Sequence, residues 1–219
     1  MLIKWFGHAC FFIDSSEFGI SILTDPFDKS VGYPLPDVSP DLITESHQHF
    51  DHNAHDLLKG NFKVLKEEGI FEESNLKIKA IRSYHDESMG SERGMNLIFK
   101  FEFPNGISIA HLGDIGHVID DKILKELLPV DIILIPVGGK FTIGPDEAVE
   151  VCKLTNPKVV IPMHYKTKYI NFPIKSVDDF EKIASSNLDF EIIHKQNNVF
   201  EFNADKLKNQ KPSIIVLNI

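Results

Sequence analysis

Four times in this chain of 219 residues an apolar, strand-like run breaks off at a histidine or an aspartate. Asp41 to Thr44 leads into Glu45-Ser-His-Gln-His-Phe-Asp-His-Asn53, and Leu76 to Ser83 leads to His85. Ile107 to Leu112 leads to Gly113-Asp114, and Lys158 to Pro162 leads to Met163-His164. Strand ends are where an α/β scaffold gathers side chains from distant sequence into one crevice. A fold that accommodates the pattern must aim several strands at a common edge.

The remaining strand-like runs are Leu2 to Phe6, Cys10 to Asp14, Gly19 to Thr24, Phe62 to Leu65, Asn96 to Phe103, Val130 to Val137, Phe190 to His194, Val199 to Phe202 and Ser213 to Leu217. Asn105-Gly106 predicts a hairpin between two of the strands. The nearly continuous Ile/Leu/Val run at Val130 to Val137 fits a strand covered on both faces. Helical spacing marks Ile119 to Leu128. A second helix opens at Gly144-Pro145 and runs through Leu154, with proline at its favoured first position and Asp146 and Glu147 in the first turn. A third starts at Ser176, where Ser176 and Asp179 resemble a capping box, and Ala54 to Lys59 has helical composition. No repeat or composition break interrupts the chain, so residues 1–219 are expected to form a single domain. Two sheets packed face to face with helices outside fit this order.

Within His47-Gln48-His49-Phe50-Asp51-His52, three imidazoles and a carboxylate crowd into six positions. In an extended stretch residues 47, 49 and 51 share one side, and neutral imidazole with carboxylate suits zinc and similar divalent ions. His85, Asp114 and His164 bring the donors to seven, enough for two divalent ions with room for solvent.

Charge and cysteine usage narrow the alternatives. With 23 Lys+Arg against 32 Asp+Glu, the net charge of −9 disfavours a protein built to grip a polyanion. Cys10 and Cys152 sit in apolar company with no metal-like spacing and read as small core hydrophobes, which suits a reducing compartment. No stretch approaches the length of a membrane span, and the N-terminus lacks the basic start and long apolar run of a signal peptide, so a cytoplasmic location is expected.

On these residues the chain resembles the metallo-β-lactamase superfamily, whose H-x-H-x-D-H hallmark is met by His47, His49, Asp51 and His52. Asp25 in Leu-Thr-Asp-Pro is similar to the first family motif, His85 to the third, Asp114 in His-Leu-Gly-Asp to the fourth and His164 in Ile-Pro-Met-His-Tyr to the fifth. Gly7-His8, Phe141-Thr-Ile-Gly-Pro145 and Pro162-Met-His-Tyr165 resemble the branch that includes ascorbate-6-phosphate lactonases and other Zn-dependent hydrolases. The resemblance implies an α/β (α+β) fold, a four-layer αββα sandwich, carrying a dinuclear site. One metal would take His47, His49 and His85, the other Asp51, His52 and His164, with Asp114 bridging and a hydroxide shared by the two ions as nucleophile. Asp25 would orient a ligand histidine. The expected cofactors are two divalent ions, Zn first, with Mn or Fe as alternatives. Asp51 and Asp114 thereby belong to the catalytic machinery.

His8 joins them as a proton donor or substrate contact, a role open equally to His117, with ordinary loop hydrogen bonding as the alternative for each. His111 is expected to point into the sandwich as a satisfied polar group, and His55 to support the ligands. Arg93, Lys140, Lys166 and Lys168 are candidate anion contacts or solvated surface cations.

The resulting expectation is a metal-dependent hydrolase acting on an ester-like, lactone or phosphodiester bond of a small anionic molecule. Two alternatives stand beside it: a non-catalytic metal-binding sensor that keeps the fold, and a phosphodiesterase or nuclease acting on nucleic acid. The full set of seven donors favours an enzyme. Only fifty positions separate Asp114 from His164, which leaves no room for the extra domain of superfamily nucleases. His at position 49 departs from the H-x-E-x-D-H of the redox di-iron relatives.

Overall fold

The computed structural model describes residues 1–219. Its strands in chain order are β1 (Leu2–Gly7), β2 (Cys10–Ser15), β3 (Ile20–Thr24), β4 (Leu42–Thr44), β5 (Lys63–Leu65), β6 (Gly69–Glu73), β7 (Leu76–Tyr84), β8 (Met95–Glu102), β9 (Ser108–His111), β10 (Ile132–Pro136), β11 (Val159–Met163), β12 (Glu191–His194), β13 (Val199–Glu201) and β14 (Ser213–Val216). The helices are α1 (Asp121–Leu127), α2 (Pro145–Thr155), α3 (Val177–Asn187) and α4 (Ala204–Asn209). One sheet has the order β13-β1-β2-β3-β4-β5, the other β12-β14-β11-β10-β9-β8-β7-β6.

Side-chain alternation sorts the smaller sheet into two faces. Ile3, Trp5, Phe11, Ile13, Ile22, Leu42 and Leu65 point into the main core with the inward residues of the larger sheet. Cys10, Leu23 and Ile43 point the other way, into a second cluster with Phe27, Val31, Tyr33, Ile170 and Ile174. β10 and β11 are buried along their whole length, as strands with sheet on one side and helices on the other must be.

The two sheets pack face to face as expected of the metallo-β-lactamase fold, but the expected four αββα layers are unequal, with helices flanking one sheet and loops the other. Helices cover the larger sheet, whereas the loops from Phe27 to Val38 and around Ile170 and Ile174 cover the smaller one. The expected helix at Ala54 to Lys59 is only a 3-10 turn, His55–Leu57. Six residues ending at Gly60, which has φ +123°, are too few to sustain a helix without packing support. The capping box at Ser176 is also absent: Ser176 is the N-cap, but its hydroxyl donates to Asp178 Oδ2 at 3.3 Å and caps no backbone N–H. β6 and α4 have no counterpart among the sequence-derived elements. The proline-led start of α2 stands, with the Gly144 N–H donating to Glu147 Oε2 at 3.0 Å.

Strand direction makes the site possible. β9, β10 and β11 run parallel, and β7 shares their direction because it is antiparallel to β8, which is antiparallel to β9. Their carboxyl ends share one edge of the sheet. β3 and β4 are parallel in the facing sheet.

Candidate metal centre

β7 ends immediately before His85, β11 immediately before His164 and β3 immediately before Asp25, and the turn after β9 delivers Asp114. β4 delivers His47 to His52, and the two-residue turn between β1 and β2 delivers His8. Three of these residues have left-handed backbones: His8 (φ +53°), Asp25 (φ +40°) and His164 (φ +52°). Non-glycine residues seldom adopt that region, and such strain clusters at functional sites. At Gly113 (φ +56°) a Cβ would lie 2.3 Å from Asn96 Oδ1 and 2.5 Å from Ser46 Cβ. Only glycine lets the β9 turn approach the β4 loop this closely.

All seven sequence-derived donors converge. Asp114 Oδ2 lies 3.3 Å from His52 Nε2, 3.3 Å from His85 Nε2 and 3.1 Å from His164 Nε2. His52 Nε2 is 3.9 Å from Asp51 Oδ2. His47, His49 and His85 offer ligand atoms within 4.8 Å of one another, and so do His8, His52 and His164. Donors held about 2.0–2.2 Å from a shared cation are spaced by roughly 3.3 Å in a tetrahedral shell, so the separations fit bound divalent ions. The buried atoms His47 Nε2, His52 Nε2 and Asp114 Oδ1 have no hydrogen-bond partner, which is the state of groups that await a cation.

A layer behind the donors fixes their aim. Asp25 accepts from His52 Nδ1 at 2.8 Å, from the Ser46 N–H at 2.7 Å and from the Ser46 hydroxyl at 2.6 Å. Ser46 Oγ also contacts His47 Nδ1 at 2.9 Å. The Asp114 N–H donates to Asn96 Oδ1 at 2.8 Å, and Asn96 is anchored to Ser83 Oγ and the Leu112 carbonyl. Sequence reasoning missed Ser46 and Asn96; their one signal was the position of Ser46 beside the histidine motif.

Burial lowers the imidazole of His8 to about 4, helped by His164 and opposed by Asp51. Burial likewise takes His47 to about 2, with His52 adding to the fall, and lowers His49 with help from His85. These rings are neutral at pH 7, the form that ligates. For His52 burial also disfavours charge, but Asp114 and Asp25 outweigh it and raise the ring well above its ordinary value. Burial pushes all three aspartates upward and is overcome in each. His111 and His52 hold Asp25 down, the hydrogen bond from His8 holds Asp51 down, and the charges of His164 and His52 hold Asp114 down.

A cleft of about 540 Å³ opens onto the centre. His49, Asp51, His85, Asp114 and His164 form its floor; Phe50, Phe141, Phe172 and Arg93 stand on its walls. Asp86 accepts the N–H groups of Ser88, Gly90, Glu92 and Arg93 at 2.8–3.1 Å, which shapes the loop carrying Arg93. The Arg93 guanidinium lies 5.2 Å from the Phe141 ring centre and donates to the Lys140 carbonyl at 2.9 Å.

His8 is fully buried, contacts Asp51 Oδ2 through Nε2 at 3.2 Å, and is not among the residues lining the cleft. His117 makes loop hydrogen bonds to the Tyr84 N–H and the Val118 carbonyl. His111 donates to the Ala9 carbonyl at 2.8 Å, as expected of a core histidine, although its Nδ1 has no partner. His55 pairs with buried Glu45 rather than with a donor of the centre. Lys166 donates to the Phe172 carbonyl, and Lys168 lies against Tyr169.

The sandwich and its edge cluster define a class. A model described as "Beta-lactamase superfamily domain" matches residues 2–164, and the chain is a metal-dependent hydrolase of the metallo-β-lactamase superfamily. Within it the chain belongs to the UPF0173 metal-dependent hydrolases. It is 32% identical to the one from Pyrobaculum islandicum over 212 residues, covering 81% of this chain and 88% of that protein. A crystal structure from Thermotoga maritima, described as a Zn-dependent hydrolase of the superfamily, shares 43% identity with a TM-score of 0.78 and 99% coverage of both chains. Isothiocyanate hydrolase from Delia radicum gut bacteria shares the fold at 16% identity, with a TM-score of 0.71 over 93% of this chain and 100% of that one. No helix is long and apolar enough to cross a membrane.

Proposed function

We propose that the chain is a dinuclear metallohydrolase that cleaves an ester-like, lactone or phosphodiester bond in a small anionic molecule. The observation that carries this reading is the position of Asp114. Its Oδ2 is within 3.3 Å of ring nitrogens from both ligand groups, His85 on one side and His52 and His164 on the other. His47, His49 and His85 would hold one ion, Asp51, His52 and His164 the other, and Asp114 would bridge. Zn suits the imidazole-rich set, and Mn or Fe fit the same donors. Bound there, divalent ions supply Lewis acidity and an activated water near neutral pH.

The chain's own residues do the rest. Asp25 fixes the His52 ring, and Asn96 fixes the backbone of Asp114, so the donors need little rearrangement. Phe50, Phe141 and Phe172 give the cleft apolar walls, and the free edge of the Arg93 guanidinium offers an anion contact.

Elemental mass spectrometry of protein purified without chelator tests the reading. About two equivalents of metal per chain, falling in Asp114→Asn, are expected. Protein that stays metal-free after reconstitution would overturn it. A panel of lactones, esters and phosphodiesters with the native metal then identifies the bond.

A further inference from the structure

We infer that His8 is a metal ligand, the extra donor that closes the inner of the two cation positions. The inference rests on the dinuclear reading and assigns a residue that lies outside the hallmark motif.

The β1–β2 turn is built to place this ring. Gly7 has φ +104°, and a Cβ there would meet the Tyr33 ring at 2.3 Å, so the turn packs as tightly as glycine allows. His8 follows in the left-handed region at φ +53°, a conformation that a histidine adopts at some cost. Its carbonyl receives the Trp5 indole N–H at 3.1 Å and the His164 N–H at 3.2 Å, which locks the turn to the one that carries His164. The His8 ring centre consequently sits 4.1 Å from that of His164 and 4.9 Å from that of His52.

The ring has no other employment. His8 Nδ1 is buried without a partner, and Nε2 meets only Asp51 Oδ2, at 3.2 Å. That separation is the spacing of two donors sharing one cation. Contact with substrate is blocked, because the ring lies behind the cleft floor with Phe172 edge-on at 5.8 Å. Asp51, His52, His164 and His8, with the shared Asp114, make the inner position a closed set of donors. The outer position has three histidines, of which His49 is exposed, and both positions reach the cleft floor, one through His49 and His85, the other through Asp51 and His164.

The test compares His8→Gln with His8→Ala. Glutamine can still donate to Asp51 but is a poor ligand for these ions, so ligation and hydrogen bonding separate. Metal content is read after dialysis against a weak chelator, and circular dichroism of the metal-free proteins checks folding. Wild type is expected to keep two ions, and both variants to keep one, with the second bound at least tenfold more weakly and glutamine no better than alanine. Retention of both ions by His8→Gln overturns the assignment and leaves His8 as a hydrogen-bond donor to Asp51. A wild type that keeps a single ion ends the dinuclear reading separately; loss of that ion in His8→Gln still supports ligation, and its retention refutes it. A wild type that takes up no ion refutes both. A second readout needs no variant. In the Co(II)-loaded wild type, NMR of labelled histidine should show six strongly contact-shifted imidazoles, from His8, His47, His49, His52, His85 and His164; five overturn the inference.

Discussion

Asp25 accepts the Nδ1 proton of His52 at 2.8 Å, and neither side chain has any exposure to solvent. The contact sets the tautomer of His52 and turns its Nε2 toward Asp114. Partners of this kind are worth about 10–100-fold in metal affinity when removed. Asp25→Ala is therefore expected to weaken metal retention by that factor, read by chelator competition. An unchanged affinity would show that packing alone orients the ring.

The metal-free protein should lose stability on acidification. His8 and His47 are held neutral in the fold, at about 4 and about 2, and take up protons near 6.5 once unfolded. Between about pH 6.5 and 4 the unfolded state binds more protons, so stability falls as pH falls. His52, whose value is raised, opposes the loss between about pH 7.5 and 6.5, where only the folded state is charged, and adds little slope well below 6.5, where both states are charged. A loss on the order of 2 kcal/mol from pH 7.5 to 5 is expected in urea unfolding of the apo protein. Bound metal keeps the ligand imidazoles unprotonated in the fold, so the holo protein should lose stability at least as steeply as protons displace the cation; a flat profile in the apo protein would count against neutral burial.

Gly113→Ala should destabilise by about 2–4 kcal/mol, because the new methyl group meets Asn96 and Ser46 at a left-handed backbone position. The shift in urea midpoint measures it. A loss below about 1 kcal/mol would mean that the β4 loop yields.

Arg93→Met should raise KM for an anionic substrate by about tenfold while kcat changes little, the pattern of uniform binding lost. A neutral isosteric substrate should be indifferent to the substitution. Equal losses for both substrates would remove Arg93 from anion recognition.

Asp86 ties four N–H groups of the loop that presents Arg93. Asp86→Ala should speed amide exchange at Ser88, Gly90, Glu92 and Arg93 and reproduce the KM effect of the arginine variant. Unaltered exchange would show that the glycines at 90 and 94 fix the loop unaided.

His47, His49, Asp51 and His52 were legible because four donors crowd six positions, and His85, Asp114 and His164 because each follows an apolar run at the point where a strand hands its chain to the sheet edge. Their convergence also follows from the parallel run of β9 to β11, which the continuous apolar character of Val130 to Val137 foreshadows. Ser46 and Asn96 were not legible. Their roles arise from close approach between segments 18 to 21 positions apart, and apart from the place of Ser46 beside the histidine motif nothing local marks a serine or asparagine for that work. The helix expected at 54–59 failed for a related reason: composition favours it, but loops rather than a helix cover this sheet, and His55 turns toward Glu45. His8 was ambiguous because its direction depends on a two-residue turn, which composition does not specify.

The carbonyl of His8 receives N–H groups from Trp5 and His164, joining a hairpin at the start of the chain to a strand end three quarters of the way along it. The donors of the centre come from both sheets and from segments spread between these two points. A nascent chain emerging from the ribosome holds no more than fragments of the cluster until β11 has docked. If the site takes two ions as proposed, capture of the second would be a checkpoint on assembly: it would reward a finished sandwich and leave every truncated or half-paired intermediate without that gain in stability.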